Sequence, residues 1–513
     1  MNRPAAKVLA IGLELGDGEL IGRWARAGHL PAIADVMREG RWTWLDTTAD
    51  RLHISAWPSI YTGTTPGEHG VYFTFQPAPG VQGYQRFHTG LYGAPTFWSV
   101  LDRAGKRCAV LDPPYSHPEA GFNGRYVYDW GSWAHYLKTG SVPDDLVRKL
   151  ESSCGPYPLG LEANDLGFEP LEAESLARRL ATSVRAKADA TRWLMRDSPW
   201  ELLFTVFGET HAAGHYCWSN ELERLGSPQG TPMFTVYAEL DRALGALCEA
   251  AGQDTAVLIF SGDRVGPNFA GWHLLPDALS RLGYAGGAHA KGDDSGAPAA
   301  GRARLDPVKM LRDLLPKDFR KNLARKLPTK LRDKLAQRVD TADIDWGTTR
   351  AFCLPTDLEG YIRINLRGRE PLGIVEPGQE YERLLDDLSA ALAELADPCS
   401  GAEIVRGVLR TDREFPGNRR AYLPDLVVQW AADRPIEAAR SDRVGTLEGV
   451  SPDTRTGTHR GPGFLLARGP GIRAGDPQHR SNILDIAPTV LALLGVAKPE
   501  HMAGDVLREF LPA

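Results

Sequence analysis

The chain has 513 residues, 42% of them hydrophobic and 24% charged, with a formal net charge of −6. That length supplies a large core for one α/β domain with insertions or for two domains. The mild negative balance excludes a general attraction to nucleic acid or to an anionic membrane, since either needs a clustered basic face. Six cysteines (Cys108, Cys154, Cys217, Cys248, Cys353, Cys399) lie scattered without CxxC spacing, which indicates neither a zinc knuckle nor a disulfide framework and points to a reducing cytoplasm.

The opening segment, "MNRPAAKVLAIGLELGDGEL", carries only a short apolar run before Glu14. That run is too short for the core of an export signal and far too short to span a bilayer, so it reads as a first buried strand. A soluble, unexported protein with neither membrane nor nucleic-acid partner is expected. Similar runs follow at 107–112 (RCAVLD), 201–207 (ELLFTVF), 255–261 (TAVLIFS), 425–430 (DLVVQW) and 464–469 (FLLARG). Runs of this length, separated by helix-like segments, predict an α/β fold: a mostly parallel central sheet flanked by helices. The expected core spans 1–287 and 431–513. Residues 288–345 form a Gly/Ala/Ser-rich linker and a basic stretch with leucines at helical spacing, read as a solvated helical insertion. Residues 346–430, with the helix-patterned "EYERLLDDLSAALAELAD", are expected to form a smaller inserted α+β subdomain.

In open α/β sheets, ligands sit beyond the carboxyl ends of the strands. Glu14 follows the first run, and "TADRLHISAWPSIYTG" sets His53 and Ser55 at a helix start, where exposed N–H groups favour an anion. His211 and His215 follow "ELLFTVF", Asp263 follows "TAVLIFS", and His459 lies in the late "RTGTHRGPG". Histidines at i and i+4 share one helix face, the way a helix presents two imidazoles to zinc, although an HxxxH pair alone is equally two polar residues on one face. His69 and His273 read as structural, Arg264 as an ion-pair former or anion binder, and Trp57 and Trp218 as core or pocket wall. Ser55 reads as a helix cap or a nucleophile.

Together with "YTGTTPGEHGVY", "PTFWSVLDRAGKRCAVLDPPYSHP", "DWGTTRAF", "LPDLVVQW", "GTHRGPGFLLARGPGI" and "ILDIAPTVLALLGV", these residues make the chain resemble the alkaline phosphatase superfamily, in its type I phosphodiesterase and nucleotide pyrophosphatase branch. The resemblance covers nearly the whole chain. It implies an alkaline phosphatase-like fold and a site for two divalent metals, usually zinc, with a Thr or Ser nucleophile attacking a phosphate or sulfate ester. One metal is typically held by Asp and His spaced D-x-x-x-H plus the His of the late "GTH". Here His211 takes the Asp position, and His215 and His459 match the histidines, implying three imidazoles on one ion. For the second metal, Glu14 stands where the first-strand Asp is usual, and Gly262 and Asp263 stand where the family has an Asp-His pair. The nucleophile position falls on His53, with Ser55 two residues on.

These substitutions have a physical direction. An ion held by three neutral imidazoles with an open position acidifies a bound water toward about pH 7, so metal-bound water replaces the missing side-chain nucleophile. The leading expectation is therefore a metal-dependent hydrolase of a phosphoester, phosphodiester or related small tetrahedral anion, with one or two ions and His53 or Ser55 assisting. Zinc leads, while iron, copper, nickel or manganese also suit the donors. The alternatives are a repurposed metalloenzyme of specialised metabolism, performing transfer, elimination or oxidation, and a non-catalytic binding protein on a degenerate scaffold.

Overall fold

The computed structural model describes residues 5–87, 92–131, 139–159, 172–219, 222, 228–286, 344–356, 358–431, 434–475 and 480–511, with a few positions between 331 and 341. Almost all of the expected linker and basic insertion at 288–345 lies outside the described residues. Two compact units are formed: one from Met1–His69, His88–Asn268 and Asp453–Ala513, the other from Gly70–Phe87 and Phe269–Pro452.

The first unit is built on a nine-stranded sheet in the order 481–482, 41–46, 463–468, 255–261, 7–13, 202–207, 108–111, 125–128 and 140–142. At its centre Lys7–Leu13 pairs in parallel with both Leu202–Phe207 and Thr255–Ser261, and Cys108–Leu111 adds in parallel beyond. Burial on both faces explains why these strands are unbroken apolar runs. Along the first strand, Leu9, Ile11 and Leu13 enter the core on one face, while Val8 and Ala10 enter the core on the other, as the two-residue period of a strand requires. Helices Ala173–Asp197 and Pro232–Ala251 cover the first face.

Two of the apolar runs form antiparallel strands rather than parallel ones. Gly463–Arg468 is antiparallel to both neighbours, Arg41–Asp46 and Thr255–Ser261. Leu426–Trp430 belongs to the second unit, as a strand of a four-stranded antiparallel sheet with Ala351–Cys353, Gly360–Ile364 and Val405–Arg410. The reason is plain in the burial: each residue of Leu426–Trp430 is buried, and a continuous apolar run reports two covered faces without reporting direction or partner.

In the second unit, helix Gln379–Ala393 presses Leu384, Leu385, Leu388 and Leu392 onto Ile362, Ile364, Leu426 and Val428. This unit holds more chain than 346–430, because Leu275, Ala278 and Leu279 and the hairpin strands Ala438–Ser441 and Gly445–Glu448 complete the same core. Its buried charges are matched: Arg363 meets Glu370 at 2.8 Å and Arg369 forks onto Asp425 at 2.7 Å, as buried ions must be. Among the described residues no helix is long and apolar enough to cross a membrane.

Candidate metal centre

The site is made at the carboxyl edge of the first unit's sheet. Strand Leu202–Phe207 ends, Gly208 turns the chain, and helix Glu209–Tyr216 begins with all eight residues buried. One helical turn separates His211 from His215, so both rings project from the same face, 4.4 Å apart between centroids and 3.1 Å between their Nε2 atoms. His459 comes from the opposite end of the chain, on strand Gly457–Arg460, which pairs antiparallel with Arg264–Pro267. Its ring lies 5.2 Å from that of His211 and 5.1 Å from that of His215. The donor atoms of the three histidines all fall within 4.8 Å of one another, and the residues are 9%, 1% and 6% exposed.

Two glycines permit this convergence. A Cβ on Gly457 would stand 2.1 Å from the Gly214 carbonyl oxygen, and one on Gly214 would stand 2.7 Å from Leu15. The bare backbones let the late strand lie directly on the helix. Thr456 then donates from its backbone N–H to the His215 carbonyl at 2.8 Å.

The protonation pattern fits a cation. His215 Nδ1 lies 2.7 Å from the Gly457 carbonyl oxygen, which only accepts, so Nδ1 carries the proton and Nε2 presents a lone pair. His459 Nδ1 lies 2.5 Å from Asp263 Oδ2, and its buried Nε2 has no hydrogen-bond partner. A carbonyl or carboxylate behind each ring is the arrangement that orients histidines on metals. His211 Nε2 faces the lone pair of His215 Nε2 at 3.1 Å, near the roughly 3.3 Å between ligand atoms of a tetrahedral ion with bonds of about 2.0–2.1 Å. Burial, then the neighbouring imidazoles and Arg455, hold His211 well below its ordinary pKa; burial, then Arg455 and His459, do the same for His215. Both rings are thus neutral, as ligands need to be.

The remaining sequence-predicted residues divide. His53 joins the cluster, its ring 4.9 Å from that of His459. It is held on the short turn His53–Ser55 before helix Ala56–Thr62, whose Trp57 packs closely because Gly12 has no side chain: a Cβ there would lie 2.6 Å from the indole. The Ser55 hydroxyl is fully buried, 2.5 Å from the Leu52 carbonyl to which it donates and 2.7 Å from Thr48 Oγ1. In this arrangement its proton holds the turn. Asp263 places Oδ2 on His459 Nδ1, and its Oδ1 accepts from Ser261 Oγ at 3.3 Å. Asp263 therefore aims the imidazole.

Glu14 follows the first strand, where Leu15 at φ 55° turns the chain sharply. Its backbone N–H donates to the Phe207 carbonyl and its own carbonyl accepts from Thr210 Oγ1. Its buried Oε2 has no hydrogen-bond partner, and burial, reinforced by Asp263, pushes its carboxyl up to about 8. Among the described residues, His211, His215 and His459 are the one set of three metal-competent side chains that converges. The second set expected from Glu14, Asp263 and His53 does not assemble in this form. At Gly262 a Cβ would already touch Ile60 and Ala56 at 3.1 and 3.2 Å, so apolar groups fill the space that a ligand side chain there would need.

Other residues take the structural roles expected of them. His69 is buried 3.0 Å from Ser59 Oγ and driven down to about 3 by burial; His273 Nε2 is 3.0 Å from the Gly449 carbonyl oxygen; Arg264 pairs with Glu19 at 2.8 Å; Trp57 and Trp218 are core. Sequence reasoning missed two features. One is Arg455, forked onto Asp453 through Nε at 2.8 and 3.0 Å and Nη2 at 2.6 Å. The other is an interior group in which Lys187 meets Asp112 at 2.5 Å and the Tyr157 hydroxyl donates to Glu209 at 2.8 Å. Glu209 sits at a strand end and was findable by that rule; Lys187, in mid-helix, carried no local signal.

Comparison with known proteins agrees with this architecture. The chain is similar in fold to the alkaline phosphatase PafA (15% identity, 100% of both chains covered, TM-score 0.53). It is similar also to murine ectonucleotide pyrophosphatase / phosphodiesterase 5 (13%, covering 99% of this chain and 100% of the other, TM-score 0.52). Phosphonoacetate hydrolase from Sinorhizobium meliloti, in complex with phosphonoformate, is a third such structure (13%, 96% of each chain, TM-score 0.52). No protein of curated function matches the sequence significantly. The model of the type I phosphodiesterase / nucleotide pyrophosphatase family matches residues 8–263, the stretch that carries His53, His211, His215 and Asp263, and over that stretch the chain belongs to that family.

Proposed function

We propose that the protein is a metal-dependent hydrolase of small anionic phosphoesters, phosphodiesters or closely related tetrahedral anions, with one divalent ion, zinc first, on His211, His215 and His459. The observation that carries this reading is the pair of buried Nε2 atoms whose rings are locked from behind by the Gly457 carbonyl and by Asp263. An ion held there supplies Lewis-acid polarisation of the ester and acidification of a water toward neutral pH. The chain's own groups do the rest. Asp263 and Gly457 fix two rings so that no reorganisation is needed, and the buried helix excludes bulk water. His53, beside His459, is the group placed to accept and return a proton, because the Ser55 hydroxyl is committed elsewhere. The six unpaired cysteines support a reducing compartment such as the cytoplasm.

Elemental analysis of purified protein, with a screen of aryl phosphates, phosphodiesters and sulfates, tests the proposal. About one ion per chain and ester cleavage abolished by chelation are expected. Bound ion without cleavage of any such ester would refute hydrolysis. The all-imidazole donor set also suits iron or copper, so native protein containing either metal and consuming dioxygen would favour oxidative chemistry instead.

A further inference from the structure

Helix Glu209–Tyr216 reads ETHAAGHY and is buried throughout, yet its apolar side chains are two alanines and a tyrosine. So small a stripe gives little hydrophobic grip on the core, and polar ties set the helix in place. On the side of the late strand, His215 Nδ1 donates to the Gly457 carbonyl at 2.7 Å and the Thr456 N–H donates to the His215 carbonyl at 2.8 Å. At the start of the helix, Thr210 Oγ1 lies 2.6 Å from the Glu14 carbonyl oxygen and 2.9 Å from that of Phe207. Glu209 stands two residues before His211, about 200° around the helix. Its side chain therefore leaves on the side away from the histidine and enters the interior.

There the Tyr157 hydroxyl donates to Glu209 Oε1 at 2.8 Å, while the buried Oε2 has no hydrogen-bond partner. The tyrosine is in turn seated by a rigid group. Lys187, fully buried in helix Ala173–Asp197, meets Asp112 Oδ2 at 2.5 Å. The same carboxylate accepts the backbone N–H groups of Trp130 at 2.8 Å and Gly131 at 2.7 Å. Gly131 has to be bare, because a Cβ there would stand 2.5 Å from the Tyr157 ring. Across that ring, Trp130 lies 5.3 Å away between centroids and Lys187 Nζ 5.5 Å from the centroid. A buried ion pair adds little net stability over well-packed apolar side chains. What Lys187 and Asp112 supply is geometry: they fix the backbone against which Tyr157 rests, and Tyr157 gives its one proton to the helix of the histidines.

We propose that Tyr157 is a positioning residue of the metal centre, fixing through Glu209 the seat of the helix that presents His211 and His215, with Lys187 and Asp112 holding its ring. The inference rests on the metal-binding part of the proposed function and is independent of hydrolysis. Tyr157→Phe tests it, since that change keeps the ring against Gly131 and Trp130 and deletes the hydroxyl alone.

Zinc affinity is measured on the full chain by competition with a chromophoric chelator, the visible spectrum is recorded with cobalt in place of zinc, and amide hydrogen exchange is followed in metal-free protein. Tyr157→Phe should weaken zinc about 10-fold, the low end of what loss of a partner behind a ligand costs, and shift the cobalt bands. Exchange should rise several-fold in Glu209–Tyr216 relative to strands Lys7–Leu13 and Thr255–Ser261. Unchanged zinc affinity overturns the inference, whatever the loss of stability. Glu209→Ala should match Tyr157→Phe, and Glu209→Gln, which still offers the hydroxyl an acceptor, should recover most of the affinity. A Glu209→Gln protein as impaired as Glu209→Ala would assign the effect to charge and also overturn the inference. Should Tyr157→Phe not fold, the double variant Tyr157→Phe/Glu209→Gln, which leaves no unpaired carboxylate inside, decides: weakened zinc supports the inference and wild-type affinity refutes it. If the wild type binds no zinc, the metal-dependent reading fails, while exchange confined to Glu209–Tyr216 or spread evenly over the first unit still upholds or refutes the role of Tyr157.

Discussion

Glu14 provides the sharpest test of the electrostatics, because its neutral isostere is available. In the metal-free protein its carboxyl is 4% exposed, leaves Oε2 without a hydrogen-bond partner and is raised from 4.5 to about 8, first by burial and then by the Asp263 charge. For an acid whose folded-state pKa is raised, native stability is fully present below the unfolded value and is lost as pH climbs toward the folded one. The window therefore runs from about 4.5 to 8. At about 1.4 kcal/mol per unit, the term grows to roughly 5 kcal/mol across it. Glu14→Gln removes the term while preserving shape. In urea unfolding of chelator-treated protein between pH 5 and pH 8, the variant's advantage over wild type should widen by about 4 kcal/mol. The comparison isolates Glu14 because the buried histidines act in the opposite sense in both proteins, weakening the native state as pH falls below about 6.5. Supplying zinc should narrow the gap, since a nearby cation favours the carboxylate. Parallel stability curves for the two proteins would refute this account of the site.

Four further substitutions bear on the centre. His459→Ala should abolish stoichiometric ion binding by elemental analysis, whereas His69→Ala, which deletes a buried ring held by Ser59, should lower stability by about 2–4 kcal/mol and leave the ion in place. Asp263→Asn should weaken metal affinity about 10–100-fold in competition with a chromophoric chelator, through loss of the carboxylate that orients His459. Gly457→Ala places a methyl 2.1 Å from the Gly214 carbonyl oxygen. It should therefore cost about 1–3 kcal/mol and separate His459 from the helix, read as lowered melting temperature together with lost metal.

What the sequence disclosed and what it withheld follow from the range of the interactions involved. The central parallel strands and the His211/His215 pair were legible because apolar runs and i,i+4 spacing are local patterns. The nearness of His459 came from the family resemblance alone, and the structure supplies its physical basis: Gly457 is needed at a backbone approach that no side chain would survive. The direction of Gly463–Arg468 was hidden, since an apolar run has no polarity. So was the duty of Asp263, which its residue type leaves open between holding an ion and holding the ring that would hold the ion.

The antiparallel entry of that late strand also explains how so distant a histidine reaches the edge where ligands bind. Parallel strands deliver their residues to the carboxyl edge as they end, whereas Gly463–Arg468 starts from that edge and runs down the sheet, so His459, on the short strand just before it, is presented at that edge. The hydrogen bond from His215 Nδ1 to the Gly457 carbonyl closes a loop of 242 residues, and closing it costs chain entropy that grows only slowly with length. An ion bridging His215 and His459 adds to the folded form alone, by about 4 kcal/mol at a thousand times its dissociation constant. The centre therefore has a structural consequence besides its chemistry: with metal removed, the segment from Asp453 to Arg460 should be the part of the first unit that gains hydrogen exchange first, ahead of the parallel strands beneath it.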